Sequence, residues 1–212
     1  SCGSLYRNYR DDYGDPLEPL ISGDDTKDVE YFDHMYENCN ADGNFPMLNT
    51  SNGIDFSYMY ESCSANEFPL LDTQNGTNFS YMYSDVGTNA ESLPLINTSK
   101  GRNFTGMYKH VRSEIPLPQI DTSEGDIFTS MYEGNTNAGE LFPELNCQYG
   151  TDFSRMYANC PNMWSFPMIN TESGVNFSEM YMGCARSNSF PALNTANGED
   201  FTRMFAGCKY VF

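Results

Sequence analysis

The sequence predicts an α/β repeat solenoid of about eight units of 23–25 residues, each a short parallel strand followed by a two-turn helix. Three observations predict it. Phe56, Phe79, Phe104, Phe128, Phe153, Phe177 and Phe201 recur 23 to 25 residues apart. Around each of them the same offsets repeat, counted from Pro46, Pro69, Pro94, Pro118, Pro143, Pro167 and Pro191. All length variation falls between offset +17 and the next Pro, as a fixed coil with one tolerant loop requires. Phe32, Met35, Tyr36 and Cys39 add an earlier, eighth match.

Within a unit, the first element is a strand over offsets +1 to +3. Pro has no N–H to donate to a ladder, so it fits only the first residue of a strand. The Leu or Ile at +2 then points inward by alternation, and copies stacked at about 4.8 Å form a parallel sheet. Gly at +7 suits a turn with positive φ. The second element is a helix. Phe(+10), Met(+13), Tyr(+14) and Cys(+17) stand at i, i+3, i+4 and i+7, one apolar stripe, with Asp or Asn at +9 as N-cap in all seven units except at Ile127. The domain reading is an acidic N-terminal segment with a degenerate first repeat over residues 1–30, then a continuous solenoid over 31–212. The sequence starts at Ser1 without an initiator Met and reads as a window on a repeat array.

Composition narrows the function. Eleven Lys+Arg against 29 Asp+Glu, a net charge of -18, argues against a nucleic-acid groove. No run approaches the roughly 18 apolar residues of a membrane span. With 15 Tyr and 15 Phe the chain is too aromatic for a disordered acidic one. Enzyme signatures are missing, so the chain reads as non-enzymatic, with no cofactor.

Asp121–Tyr132 and Asn49–Cys63, which read Asp/Asn-Thr-Ser-x-Gly-x-x-Phe-x-x-Met-Tyr, resemble the BspA-like bacterial surface-protein repeat, a branch of the leucine-rich repeats. The similarity covers roughly residues 17–212 and extends to related repeats of phage structural proteins. It departs in carrying Gly where the family often has Val, and Phe where it often has Met. The resemblance implies a leucine-rich-repeat-like solenoid that is extracellular, on a cell surface or a virion, and serves adhesion or recognition.

Several residue sets invite a site. Five of the seven Cys occupy +17 and read as buried thiols, with bridges among Cys160, Cys184 and Cys208 as the alternative. Their one-per-repeat spacing argues against zinc. Asp24, Asp25 and Asp28 match no calcium-loop spacing and read as a solvated face. No metal site is expected. The +3 column, Asn49, Asp72, Asn97, Asp121, Asn146, Asn170 and Asn194, reads as a structural ladder bonding the backbone of the next unit.

Recognition falls to the positions that vary. These are the outward +1 row, Met47, Leu70, Leu95, Gln119, Glu144, Met168 and Ala192, and the variable loops with Arg112, Met163 and Trp164, while Tyr58 and Tyr81 at +12 are expected to form a small aromatic surface strip. The expected partner is a protein or glycan on a cell surface, or a neighbouring assembly subunit. An alternative is a purely structural module that stacks on itself or docks onto a larger assembly, with homo-oligomers as one outcome.

Overall fold

The computed structural model describes residues 23–39, 45–88, 92–111, 117–136 and 142–209. The expected α/β repeat solenoid is not what forms. Among the described residues the only helical element is a 3-10 turn, Gly23–Thr26, and the only strands are two dipeptides, β1 (Ser64–Ala65) and β2 (Gly87–Thr88). They pair in parallel, Ser64 with Gly87 and Ala65 with Thr88. The leucine-rich-repeat-like assignment fails with the helix and the sheet. Most of the 1–30 segment lies outside the described residues.

The segments expected to be helices are chains of turns. In each repeat the residues at +12 and +16 take positive φ: Tyr58 and Ser62, Tyr81 and Asp85, Gly106 and His110, Arg155 and Asn159. A left-handed residue every fourth position is incompatible with an α-helix. The backbone bonds show what replaces it. Met59, Glu61 and Cys63 donate back three residues, to Phe56, Tyr58 and Tyr60, at 3.1–3.3 Å. The alternate amides leave the repeat: Phe56, Tyr58, Tyr60 and Ser62 donate to the carbonyls of Asn78, Ser80, Met82 and Ser84 in the next one, at 2.8–3.0 Å. In this repeat every amide from +10 to +17 except that of +11 is thus satisfied by the backbone. The +11 amide goes to the side chain two residues earlier, as Ser57 N–H does to Asp55 Oδ1 at 2.8 Å. The Asp or Asn at +9 is therefore the acceptor of a local turn and not a helix cap.

The expected strand also dissolves. Of the +1 to +3 segments only Leu145 and Ile169 form a bridge; the regular parallel bridges lie at +9, running Tyr31, Asp55, Asn78, Asn103, Ile127, Asp152, Asn176, Asp200. At +3 the carbonyl is taken instead by a threonine hydroxyl. Thr50, Thr73, Thr98, Thr122 and Thr171 donate to Asp72, Asn97, Asp121, Asn146 and Asn194 of the following repeat at 2.6–2.9 Å.

The core is two files of aromatic rings. Phe32 through Phe201 stack with centroids 5.4–5.9 Å apart and planes within 11°. Tyr36 through Tyr181 stack alongside, ending on Phe205, at 5.5–5.9 Å. Met at +13 and Leu or Ile at +2 fill the space between. The Gly at +7 has no positive φ. It is required for space: a Cβ at Gly53, Gly76, Gly101, Gly125, Gly150, Gly174 or Gly198 would stand 2.3–2.6 Å from Cζ of its own repeat's Phe.

Candidate functional site

Around the Pro, side chains alternate about the core as in an extended chain. Those at +2 (Leu48, Leu71, Ile96, Ile120, Leu145, Ile169) are buried, while those at +1 and +3 face solvent. Three consecutive repeats present apolar +1 residues: Met47, Leu70 and Leu95 are 61–63% exposed. Gln119 and Glu144 continue the row as exposed polar residues, and the Gln119 amide donates to the Glu144 carbonyl. Met168 returns it to apolar.

The +3 column borders this strip and is exposed throughout. Its side chains close turns within their own repeats. Asn49, Asp72, Asn97, Asp121, Asn146, Asn170 and Asn194 each accept through Oδ1 from the amide two residues on, at 2.9–3.4 Å. The bond between repeats is made by their main-chain carbonyls with the Thr hydroxyls. The Thr at +4, present in six of the seven repeats with Cys147 in its place in the other and buried in five, was the sequence signal for it.

A second row lies at +12. His34, Tyr58 and Tyr81 stack face to face at 4.5 and 4.8 Å, so the structure does bring Tyr58 and Tyr81 together. Partial burial, with Tyr81, Glu61 and Glu37 close by, raises the Tyr58 phenol above its ordinary value. The Tyr81 ring lies over Gly106, where a Cβ would be 2.5 Å from it.

Further along the molecule the same face turns ionic. Glu133 takes Lys109 at 3.3 Å and Arg155, which also binds Glu179; Arg203 reaches Glu179 at 3.5 Å. Burial works against the charge on Glu133, yet the Arg155 hydrogen bonds, with Ser130 and Lys109, hold its carboxyl at about 2.

The remaining candidates separate. Trp164 is 56% exposed, whereas Met163 is buried at 3% and cannot line a contact surface. Two whole repeats, those starting at Pro94 and Pro118, stand between the repeats of Tyr81 and Trp164. Arg112 lies outside the described residues.

The described cysteines are free thiols. Cys63, Cys160, Cys184 and Cys208 donate to the carbonyls of Tyr36, Tyr132, Tyr157 and Tyr181 in the preceding repeats. Burial pushes the Cys147 and Cys184 thiols up to about 12, which keeps them protonated and unreactive. Among the described residues no group of three His, Cys, Asp or Glu could hold a metal, and no helix is long and apolar enough to cross a membrane.

No match to the chain is found among curated proteins or among solved structures. One family model does match, over residues 15–116 and 127–211, and it replaces the BspA-like assignment, lending no support to a leucine-rich repeat, a phage structural protein or an adhesion role. With most of its length matched, the chain belongs to the family described as Mycoplasma protein of unknown function, DUF285.

Proposed function

We propose that the chain is a non-enzymatic recognition module that binds a protein or glycan through its varied +1 face. The observation that carries this reading is the row Met47, Leu70 and Leu95. Three large apolar side chains stand more than 60% exposed in adjacent repeats, above a core that does not change. Exposing such a row costs hydration free energy that a partner would recover on covering it. Buried beneath each is the +2 residue, and beside each is a +3 side chain locked in its own turn, so the strip is pre-organised. The exposed Trp164 offers a separate ring for stacking on a sugar. On this reading the module works at an outer surface, where a net charge of -18 keeps it from nucleic acid and anionic lipid.

The test is to probe glycan arrays and cell-envelope fractions with the intact chain and with the triple variant Met47→Asp, Leu70→Asp, Leu95→Asp. Binding by the intact chain that the triple variant loses is expected. Binding that survives the triple variant, or no binding by the intact chain, would overturn the proposal.

A further inference from the structure

The charges of this molecule are sorted by face. The arc from +1 to +5 carries no Lys or Arg in any of the seven repeats headed by Pro46 to Pro191. It carries Asp72, Asp121, Glu144 and Glu172, all exposed, with Glu67 exposed just before Leu70. Among the described residues none of these five carboxylates is in an ion pair. The turn-chain face is the opposite case, because there Lys109, Arg155 and Arg203 are matched to Glu133 and Glu179. Of the cations nearest the arc, Lys100 at +6 is held by Asn75 Oδ1 at 2.7 Å, and Lys27 lies in the unit before Pro46, next to Asp28.

The unpaired carboxylates frame the apolar row. Asp72 stands two residues from Leu70 on the same side of an extended segment, and the Gln74 amide holds its Oδ1 at 3.2 Å. Glu144 continues the row two repeats beyond Leu95. A partner that covers Met47, Leu70 and Leu95 therefore also removes water from fixed negative charge. An uncharged partner leaves that charge uncompensated and an anionic one is repelled, whereas a cationic one gains from it. Met and Leu, moreover, offer no flat ring face for a sugar to stack on.

The spacing of the row selects the partner's conformation. Adjacent repeats are joined by parallel bridges, so successive +1 side chains stand about 4.8 Å apart. The apolar stripe of an α-helix places a side chain about every 5.3 Å along its axis, whereas alternate residues of a strand fall about 6.7 Å apart. Between Met47 and Leu95 a helix drifts out of step by about 1 Å and a strand by about 4 Å.

We infer that, on the reading that this strip is the recognition surface, its partner is a cationic amphipathic helix. The helix lies along the stack, its apolar side chains against Met47, Leu70 and Leu95 and its Lys or Arg against Asp72, Asp121 and Glu144.

The probe is a synthetic peptide of about five helical turns with Leu at heptad positions a and d and Lys and Gln elsewhere. Its controls are a twin with Glu for Lys and a reordered peptide of the same composition with its Leu at alternate positions. The methyl signals of Met47, Leu70 and Leu95 are expected to shift with the cationic helix, which binds at least about tenfold more tightly than either control. Asp72→Asn, Asp121→Asn and Glu144→Gln together weaken it by about tenfold, as does added salt. Equal binding by the anionic twin or the reordered peptide overturns the inference, as do shifts confined to the His34–Tyr81 face. A dimer of the chain alone, lost with Met47→Asp, Leu70→Asp and Leu95→Asp, also overturns it. Cell-envelope binding that this apolar variant loses and the carboxylate variant keeps at full strength overturns the cationic helix and leaves the recognition surface standing. Envelope binding that survives the apolar variant overturns both.

Discussion

At Gly125 a single added carbon would stand 2.4 Å from Phe128 Cζ and 2.9 Å from the Thr122 carbonyl. Both neighbours are fixed, the ring by the file above and below it and the carbonyl by its turn. Gly125→Ala is expected to destabilise by about 1–3 kcal/mol, the usual cost of overpacking, in chemical denaturation. The tyrosine file makes the opposite case. The Tyr132 hydroxyl is buried with no hydrogen-bond partner among the described residues, and the last repeat fills the same slot with Phe205. Tyr132→Phe removes an unsatisfied donor while keeping the stack, and is expected to stabilise by about 1 kcal/mol in the same assay. The sequence held the position of both residues but not their reasons. An invariant Gly looks identical whether it serves φ or space, and only the ring beside it tells the two apart.

Between residues and the whole, the turn chain is where sequence reasoning failed. Phe56, Met59, Tyr60 and Cys63 satisfy the i, i+3, i+4, i+7 pattern, yet the same spacing suits a run of turns that advances three or four residues per step. Periodicity reports which side chains face the core; it is silent on where the amides between them donate. In a single copy those amides would need the helix. In a stack of near-identical copies the next repeat supplies the carbonyls. Ser62, exposed and at φ 55°, separates the two readings. Ser62→Gly inside a helix would lose about 0.5 kcal/mol, whereas at a left-handed turn it is expected to leave stability unchanged or slightly raised. Thermal or denaturant midpoints check it.

The ionic part of this element has its own signature. Because the folded Glu133 carboxyl sits at about 2, below its ordinary 4.5, its ion pairs stabilise the fold above that ordinary value. Their contribution is lost as pH falls from there toward 2. Glu133→Gln is expected to cost about 2 kcal/mol at neutral pH. The gap from the unsubstituted chain should close on acidification across that window, in denaturation curves at stepped pH.

Over the whole molecule, what was legible was the repeat: its period, its register, its inward residues and the loop that absorbs length. Every inward residue named from offsets +2, +10, +13 and +14 is buried in the inner repeats. The same regularity hid the architecture, because the bonds that define it run between residues about 24 apart and leave no local trace. Thr50 to Asp72 and Tyr60 to Met82 are of this kind. Of the candidate surface residues, Tyr58, Tyr81, Gln119, Glu144 and Trp164 keep at least part of their surface in solvent, and Met163 turns inward to cover the core.

The central claim is that each repeat completes its backbone bonding through the next one. NMR couplings across hydrogen bonds test it most directly at Tyr60. A coupling from the Tyr60 amide to the Met82 carbonyl, 3.0 Å away, is the expected result. A coupling from that amide to the Phe56 carbonyl, the partner a helix would supply, would contradict the account.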